Sequence, residues 1–442
     1  MPQATALGWL REEPSMTSEF IVEGWSASGA DVSFQYRSGE YAFTEVVHFP
    51  LNVETSPVVS RLLDLLAVVS GVSYAKALAP ATVTFPSLDV STAGLSLIQQ
   101  TYNEGMREFA FQNQLPLTST FEIAENARGD NFQIEALRNE QGRPLIPFGA
   151  VRDSSVVASA LKHLQPTLFT IGINPFAEDI ADALTLPLLV ASRTLDPSLL
   201  KLNHAGAPNG HVPVTAINSL ISLVVAELTG HTSVVMANEK SASRPTRIVD
   251  GIEINHQFSK SLEYELSLRS AIDMAGSIVN YTSVLRSVPD HDISFAFATK
   301  CQALHRLFMS CNQAMLRDES RRSAGWCGDC PKCRGMYLSL APFLSPHEMI
   351  DIFGRDLLND PAQLSGFQDL MSDQTKPFEC VADVNESRES MSQLVTLPQW
   401  SQHNVVQSCR DISSIAITND FESDGSHSEF DADIQRFVKA LQ

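Results

Sequence analysis

The chain has 442 residues, 44% of them hydrophobic, and a formal net charge of −20, which leaves room for two or three domains around at least one substantial core. A surface this acidic repels polyphosphate polymers and argues against loose nucleic-acid binding, while a small anion can still sit in a local basic pocket. The longest apolar stretch, 216–228, is interrupted by Asn218, Ser219, Ser222 and Glu227 and falls short of a membrane span. Arg11, Glu12 and Glu13 give the start of the chain no signal-peptide form, so a soluble cytoplasmic protein with no nucleic-acid or membrane partner is expected. Seven cysteines, three of them crowded together, read as metal ligands and reduced thiols rather than as a disulfide framework.

Residues 20–49 alternate in strand fashion across the Ser38-Gly39 turn, which predicts a hairpin. Leu62, Leu63, Leu65, Leu66 and Val69 predict an amphipathic helix over 60–69 that stops near Gly71, and Leu97, Ile98, Tyr102, Met106 and Phe109 predict a second helical segment over 95–112. These elements make an α+β domain over 1–140, with the Asn-, Arg-, Gly- and Glu-rich stretch 124–143 as a linker.

The segment 144–161 then reads as strand, tight loop and helix. Leu145, Ile146 and Phe148 run up to Gly149, a polar corner of Arg152, Asp153 and Ser154 follows, and Val156, Val157, Ala160 and Leu161 recur at helical spacing. Such a loop aims backbone N–H groups and the positive end of a helix dipole at one point, where a phosphate can be held. Ser154 adds a hydroxyl, Arg152 a charge and Asp153 a reach toward a metal or ribose; an ordinary capped helix start accounts for the same residues. Further on, 167–172, 186–191 and 233–237 read as short buried strands and 212–228 as a long buried helix, the rhythm of an open parallel sheet whose ligands sit at the carboxyl ends of its strands. The expected class is therefore α/β, with a parallel-sheet domain over 141–344. From 345 to 442 acidic residues outnumber basic ones seventeen to six, which predicts a mostly helical acidic region with a loose stretch over 419–433 and a last helix at 432–441.

Four stretches carry candidate chemistry. In Cys327-Gly-Asp-Cys330-Pro-Lys-Cys333 three thiols at two-residue intervals can converge on one soft metal ion, with Cys311 as the preferred fourth ligand and Cys301 as the second choice. An iron–sulfur cluster or plain core cysteines are the alternatives to zinc. His211 precedes the long buried helix, where it can act as a base or simply cap the helix. Asn238-Glu239-Lys240-Ser241-Ala242-Ser243-Arg244 is a dense polar loop just after a buried strand, a common place for a site. Asn255, His256, Gln257, Ser259 and Lys260 gather ahead of a further helix, where a solvated helix start is the plain account.

Taken together these stretches resemble known proteins. The loop 149–154 resembles the pyrophosphatase loop of the PP-loop ATP enzymes, and Cys311, Cys327, Cys330 and Cys333 resemble the zinc site of their 7-cyano-7-deazaguanine synthase branch. The runs beginning at His211, Asn238, Glu253 and Trp326 look like the UDP-N-acetylmuramoyl-L-alanyl-L-glutamate epimerase family of some bacteria, and the stretches 65–76 and 102–115 fit it too. One departure stands out: the family loop reads Gly-Gly-Gly-Lys-Asp-Ser, whereas Ala150, Val151 and Arg152 replace two glycines and the lysine here. Side chains at those positions restrict the backbone and crowd an approaching phosphate.

The resemblance implies a PP-loop (adenine nucleotide alpha hydrolase-like) core and an ATP-dependent epimerase. Its substrate would be UDP-MurNAc-L-Ala-L-Glu, whose terminal L-Glu becomes D-Glu with release of AMP and diphosphate. It also implies that Gly149, Arg152, Asp153 and Ser154 hold the pyrophosphate, with Mg²⁺ shared by a carboxylate such as Asp153. His211, Glu239, Lys240 and His256 are then the candidates for proton transfer, and Arg193, Asn238, Arg244, Asn255 and Lys260 for substrate binding. The four cysteines would hold a structural Zn²⁺. A PP-loop ligase and a zinc-stabilised binding protein without catalysis are the competing classes.

Overall fold

The structure, a computed structural model, describes residues 19–118, 121–124, 142–316, 319–413 and 428–439. The chain begins with a meander of three strands, β1 (Glu19–Ser28), β2 (Asp31–Ser38) and β3 (Tyr41–His48), joined by two-residue turns. The expected hairpin is thus one of a pair. Helix α1 (Pro57–Leu78) follows, started by Ser56, whose hydroxyl accepts from the Val59 N–H, with Pro57 in the first turn. After it come β4 (Thr82–Thr84), α2 (Thr92–Tyr102), α3 (Arg107–Gln112) and β5 (Glu122–Ile123).

Helix α1 does not stop at Gly71. A side chain there would meet the Tyr102 hydroxyl at 2.9 Å, Tyr36 at 3.1 Å and Phe20 at 3.2 Å, so the glycine admits three rings rather than ending the helix. Tyr36 and Tyr102 each donate their hydroxyl to an α1 carbonyl, of Ala67 and Val68 respectively. At 22 residues α1 also corrects the reading of 216–228 as the longest apolar stretch, because it is long and apolar enough to cross a membrane; 78% of its most apolar window, however, lies buried inside the protein.

The βα alternation starts with β6 (Pro144–Pro147), α4 (Arg152–Ala160), β7 (Thr167–Ile171), α5 (Pro175–Leu184) and β8 (Leu188–Thr194). It continues through α6 (Pro197–His204), α7 (Val214–Thr229), β9 (Ser233–Glu239), the short hairpin β10 (Arg247–Val249) and β11 (Ile252–Ile254), α8 (Leu262–Met274), β12 (Asn280–Leu285) and α9 (Asp290–Lys300). The remaining helices are α10 (Pro331–Leu340), α11 (Pro346–Phe353), α12 (Leu364–Leu370), α13 (Val384–Thr396), α14 (Asn404–Ser408), α15 (Arg410–Ser413) and α16 (Asp431–Val438).

Packing groups these elements into two units that do not follow chain order. The first comprises Met1–Glu135, Ser192–Val224 and Ser270–Ser277; the second comprises Ala136–Ala191, Val225–Arg269 and Ile278–Gln442. In the first unit the strand order is β3-β2-β1-β4-β5, and the last three residues of β8 pair antiparallel with β3. The buried Arg193 of that strand forks onto Glu45 of β3 with Nε to Oε1 at 2.7 Å and Nη2 to Oε2 at 2.9 Å, and Nη2 also reaches Ser73 on α1. Arg61 of α1 donates to the Ala275 carbonyl at 2.6 Å, and Lys76 holds the 209–210 turn through the Asn209 side chain and the Gly210 carbonyl.

In the second unit the order is β12-β9-β6-β7-β8 with every neighbouring pair parallel, the α/β sheet expected. The chain builds β6, β7 and β8 outward in one direction and then returns to lay β9 and β12 on the other side of β6. That reversal between β6 and β9 is a topological switch point, where the loops leaving two adjacent strands diverge and open a crevice. The acidic end of the chain joins this core: Met349, Phe353, Met391, Leu394, Trp400, Ile434 and Val438 pack in one cluster with Ile146, Val157 and Leu168. Most of the linker expected at 124–143 and most of the stretch 419–433 lie outside the described residues.

Candidate active site

The loop after β6 leads directly into α4. Ala150 takes a left-handed φ of +56°, a conformation that favours glycine, and its carbonyl accepts the Met309 N–H at 2.9 Å. Val151 occupies the N-cap position and offers α4 no side-chain cap, so the first turn presents backbone donors toward the switch point. Ser154 and Ser155 turn their hydroxyls back onto the Val151 carbonyl, and the Gly149 carbonyl accepts from Asn174.

Arg152, 3% exposed, is surrounded by acids. Its Nε reaches Asp153 at 2.7 Å, Nη1 reaches Ser294 at 2.6 Å and Nη2 reaches Asp290 at 2.5 Å, while Glu239 stands 3.7 Å away. Burial opposes this charge, and the surrounding Asp153 and Asp290 more than compensate, holding the guanidinium firmly protonated. Burial likewise resists ionisation of Asp290, but Arg152 and the hydroxyls of Ser339 and Ser294 keep its carboxylate below the usual range. The guanidinium is thereby engaged with its own protein.

Glu239 ends β9 across the switch point. One oxygen accepts from Ser241 at 2.8 Å; the other, Oε2, is buried and has no hydrogen-bond partner among the described residues. Burial first, then the negative charges of Asp153 and Asp290, push its carboxyl up to about 8, against a smaller opposing pull from Arg152. Glu386 behind it is raised further by burial and by Asp383, Asp290 and Glu239. At neutral pH Glu239 is therefore mostly a neutral acid with a proton to give.

Glu239 lines a partly enclosed cavity of about 150 Å³ together with Val151, Arg152, Asp153, Asn238, Gln257, Lys260, Asp290, Lys332 and Cys380. Asn238 is held by the Ser283 hydroxyl, and Lys260 donates to Gln257 at 3.1 Å and to the Cys380 sulfur at 3.2 Å. Burial disfavours the Lys260 charge, yet Cys380 and Asp153 favour it and hold it above its ordinary value. Burial also opposes a charge on Cys380, but Lys260, a hydrogen bond from His256 and the charge of Lys332 bring its thiol down to about 6. Sequence reasoning missed Cys380: it sits alone in an acidic stretch, and its hydrogen-bond partners Lys260 and His256 lie 120 or more residues earlier. Around the cavity, Arg244 pairs with Asp383 at 2.8 Å, Asn255 ties to the Ala242 carbonyl, and Lys240 opens the 3-10 turn Lys240–Ser243. His211 and Arg193 belong to the first unit, His211 on the loop before α7 and Arg193 in its pair with Glu45.

Cys311, Cys327, Cys330 and Cys333 bring their sulfurs within 4.8 Å of one another. The separations Cys327–Cys333, 3.8 Å, and Cys330–Cys333, 3.5 Å, are near the ~3.8 Å edge of a tetrahedron built on 2.3 Å metal–sulfur bonds. Backbone N–H groups of Cys327, Asp329 and Cys333 point at the sulfurs of Cys311, Cys327 and Cys330, the donors that thiolate ligands call for. Gly328, with φ +69°, makes the turn between the ligands, and a side chain there would strike Arg355. These residues fit a closed four-thiolate site. Cys301 is instead part of the main core with Phe297 and Leu304.

A cavity at the switch point of a five-stranded parallel sheet, fed by a helix N-terminus and a polar loop, defines an α/β protein of the open-sheet class with its ligand position where such sheets carry it. Residues 12–284 match the MurL N-terminal domain and residues 307–422 the MurL C-terminal domain, and the chain belongs to the MurL family. Proteins named UDP-N-acetyl-alpha-D-muramoyl-L-alanyl-L-glutamate epimerase are similar to it over most of their length. The one from a Micromonospora species is 40% identical, covering 88% of this chain and 89% of its own. That from Salinispora tropica is 40% identical over 84% and 82%, and that from Xanthomonas oryzae pv. oryzae 35% over 85% and 83%. No solved structure matches the chain.

Proposed function

We propose that this protein is a cytoplasmic isomerase of peptidoglycan precursor synthesis that inverts the terminal L-Glu of UDP-MurNAc-L-Ala-L-Glu to D-Glu at the expense of ATP. The names of its relatives support the substrate, and the observation that carries the chemistry is the buried, largely protonated Glu239 in the switch-point cavity. An α-proton beside a free carboxylate is hard to remove, because deprotonation sets a second negative charge next to the first. ATP supplies an AMP group that caps the carboxylate, cancels its charge and makes the enolate accessible; hydrolysis of the adenylate then frees the product.

In this reading the second unit is a PP-loop-like core. Gly149, Ser154 and the open first turn of α4 would hold the diphosphate, Asp153 would hold Mg²⁺, which would supply positive charge there, and Arg152 offsets the charge of the acids around it. Glu239 serves in proton transfer, with Lys240 and His256 as the other candidates, while Asn238, Lys260, Arg244 and Asn255 are assigned to substrate binding; Arg193, engaged by Glu45, has no place in it. Structural Zn²⁺ at the four cysteines secures the start of α10, whose Lys332 and Ser339 line the cavity.

The test is incubation with ATP, Mg²⁺ and UDP-MurNAc-L-Ala-L-Glu in deuterated water, following AMP and α-deuterium together. D-Glu product carrying deuterium, with matching AMP, is the expected result. Binding without AMP release would make this a zinc-stabilised binding protein, as the left-handed Ala150 in the loop favours, and a product that forms only with added ammonia would make it a ligase.

A further inference from the structure

We infer that Cys380 is the second proton-transfer group of this site, acting as the thiolate base opposite the carboxylic acid of Glu239. The assignment rests on the epimerase reading above. Three observations carry it. Cys380 lines the same cavity as Glu239. Its sulfur accepts from the Lys260 ammonium at 3.2 Å, which gives a thiolate an adjacent counter-charge. Glu239 lines the cavity too, 8% exposed, with an Oε2 that stands 3.7 Å from Arg152 and has no hydrogen-bond partner among the described residues.

Inversion requires one group that is deprotonated and one that is protonated at the same pH, on opposite sides of the α-carbon. The two environments deliver that pair. Against burial, Lys260, His256 and Lys332 favour the charged form of Cys380; burial and the charges of Asp153 and Asp290 favour the neutral form of Glu239, against Arg152, Ser241 and Lys260. In the L-to-D direction the thiolate takes the α-proton and becomes a thiol, the C–H electron pair passes into the activated carboxyl group as an enolate, and Glu239 gives its proton to the other face and becomes a carboxylate. Proton exchange with water returns both groups to their starting forms. The reverse reaction uses them in the opposite order.

The experiment compares the full-length wild type with Cys380→Ala, Glu239→Gln and Lys260→Met, each offered either epimer of the substrate with ATP and Mg²⁺ in deuterated water. Cys380→Ala is expected to release AMP with both epimers, to lose inversion by about 10²- to 10⁴-fold, and to wash deuterium into one epimer only; Glu239→Gln should wash it into the other. In the wild type kcat/KM rises with pH near 6 as the thiolate forms and falls near 8 as Glu239 loses its proton. Alkylation of Cys380 by iodoacetamide, mapped by peptide mass, should be half-maximal near pH 6 and move to higher pH in Lys260→Met, a readout that needs no catalysis. A Cys380→Ala variant that inverts at the wild-type rate, or an alkylation midpoint unmoved by Lys260→Met, overturns the assignment while leaving the epimerase reading intact. A wild type that neither releases AMP nor exchanges the α-proton overturns that reading itself.

Discussion

Arg193 and Arg152 show how a buried arginine can be read two ways. Both were expected at ligands because they are cations at strand ends or loops; both are in fact surrounded by the protein's own acids. Sequence spacing reveals a charge but not its partner, and Glu45 lies 148 residues from Arg193. Breaking the second pair has a calculable consequence. Glu45→Ala leaves the guanidinium buried without its carboxylate, which costs about 3–5 kcal/mol, so the urea midpoint should fall sharply with the slope unchanged. A shift of a few tenths of a kcal/mol would mean that water reaches Arg193. Glu239 stands out in the sequence because dense polar loops after buried strands are unusual, whereas Lys260 lies in a stretch that a solvated helix start explains as well. Cys380 was not, because its reactivity is made by Lys260 and His256 and nothing beside it in the chain marks it.

Among the elements, the parallel strands and α7 were legible from short apolar runs and helical spacing, since both burial patterns are local. Strand β12 escaped notice, its Thr282 and Ser283 diluting the apolar signal although every residue from Tyr281 to Leu285 is buried. Gly71 misled for a related reason: a glycine inside a helical pattern usually marks weakness or an end, and here it marks a close approach. Gly71→Val should therefore destabilise the protein by about 1–3 kcal/mol through overpacking against Tyr102, Tyr36 and Phe20, measured as a lower Tm at unchanged helix content. A neutral outcome would show that the three rings can retreat.

For the molecule as a whole, the cysteine cluster joins distant pieces of the second unit. Cys330 and Cys333 stand at the start of α10, and Gly335, Met336 and Ser339 further along that helix line the cavity. Elemental analysis should find one zinc per chain. Chelation, or Cys333→Ser, should lower the Tm and the epimerisation rate together, because none of the four cysteines lines the cavity and a metal there would act by holding α10. Activity lost at an unchanged Tm would place the metal in the chemistry instead. The division into units was the least legible property, since no local pattern announces that 192–224 and 270–277 belong with the first 135 residues.

That division sets a schedule for synthesis. The first unit is missing pieces until Ser277 has been made, 142 residues after Glu135, a delay of roughly 7–28 s at ~5–20 residues per second. Until 192–194 arrive, the β3 edge has no neighbour and Glu45 no arginine; until Ala275 arrives, Arg61 lacks its carbonyl. An open strand edge is a template for the wrong chain. The acidity of the sequence thus has work to do before any fold exists, keeping half-made copies on neighbouring ribosomes apart.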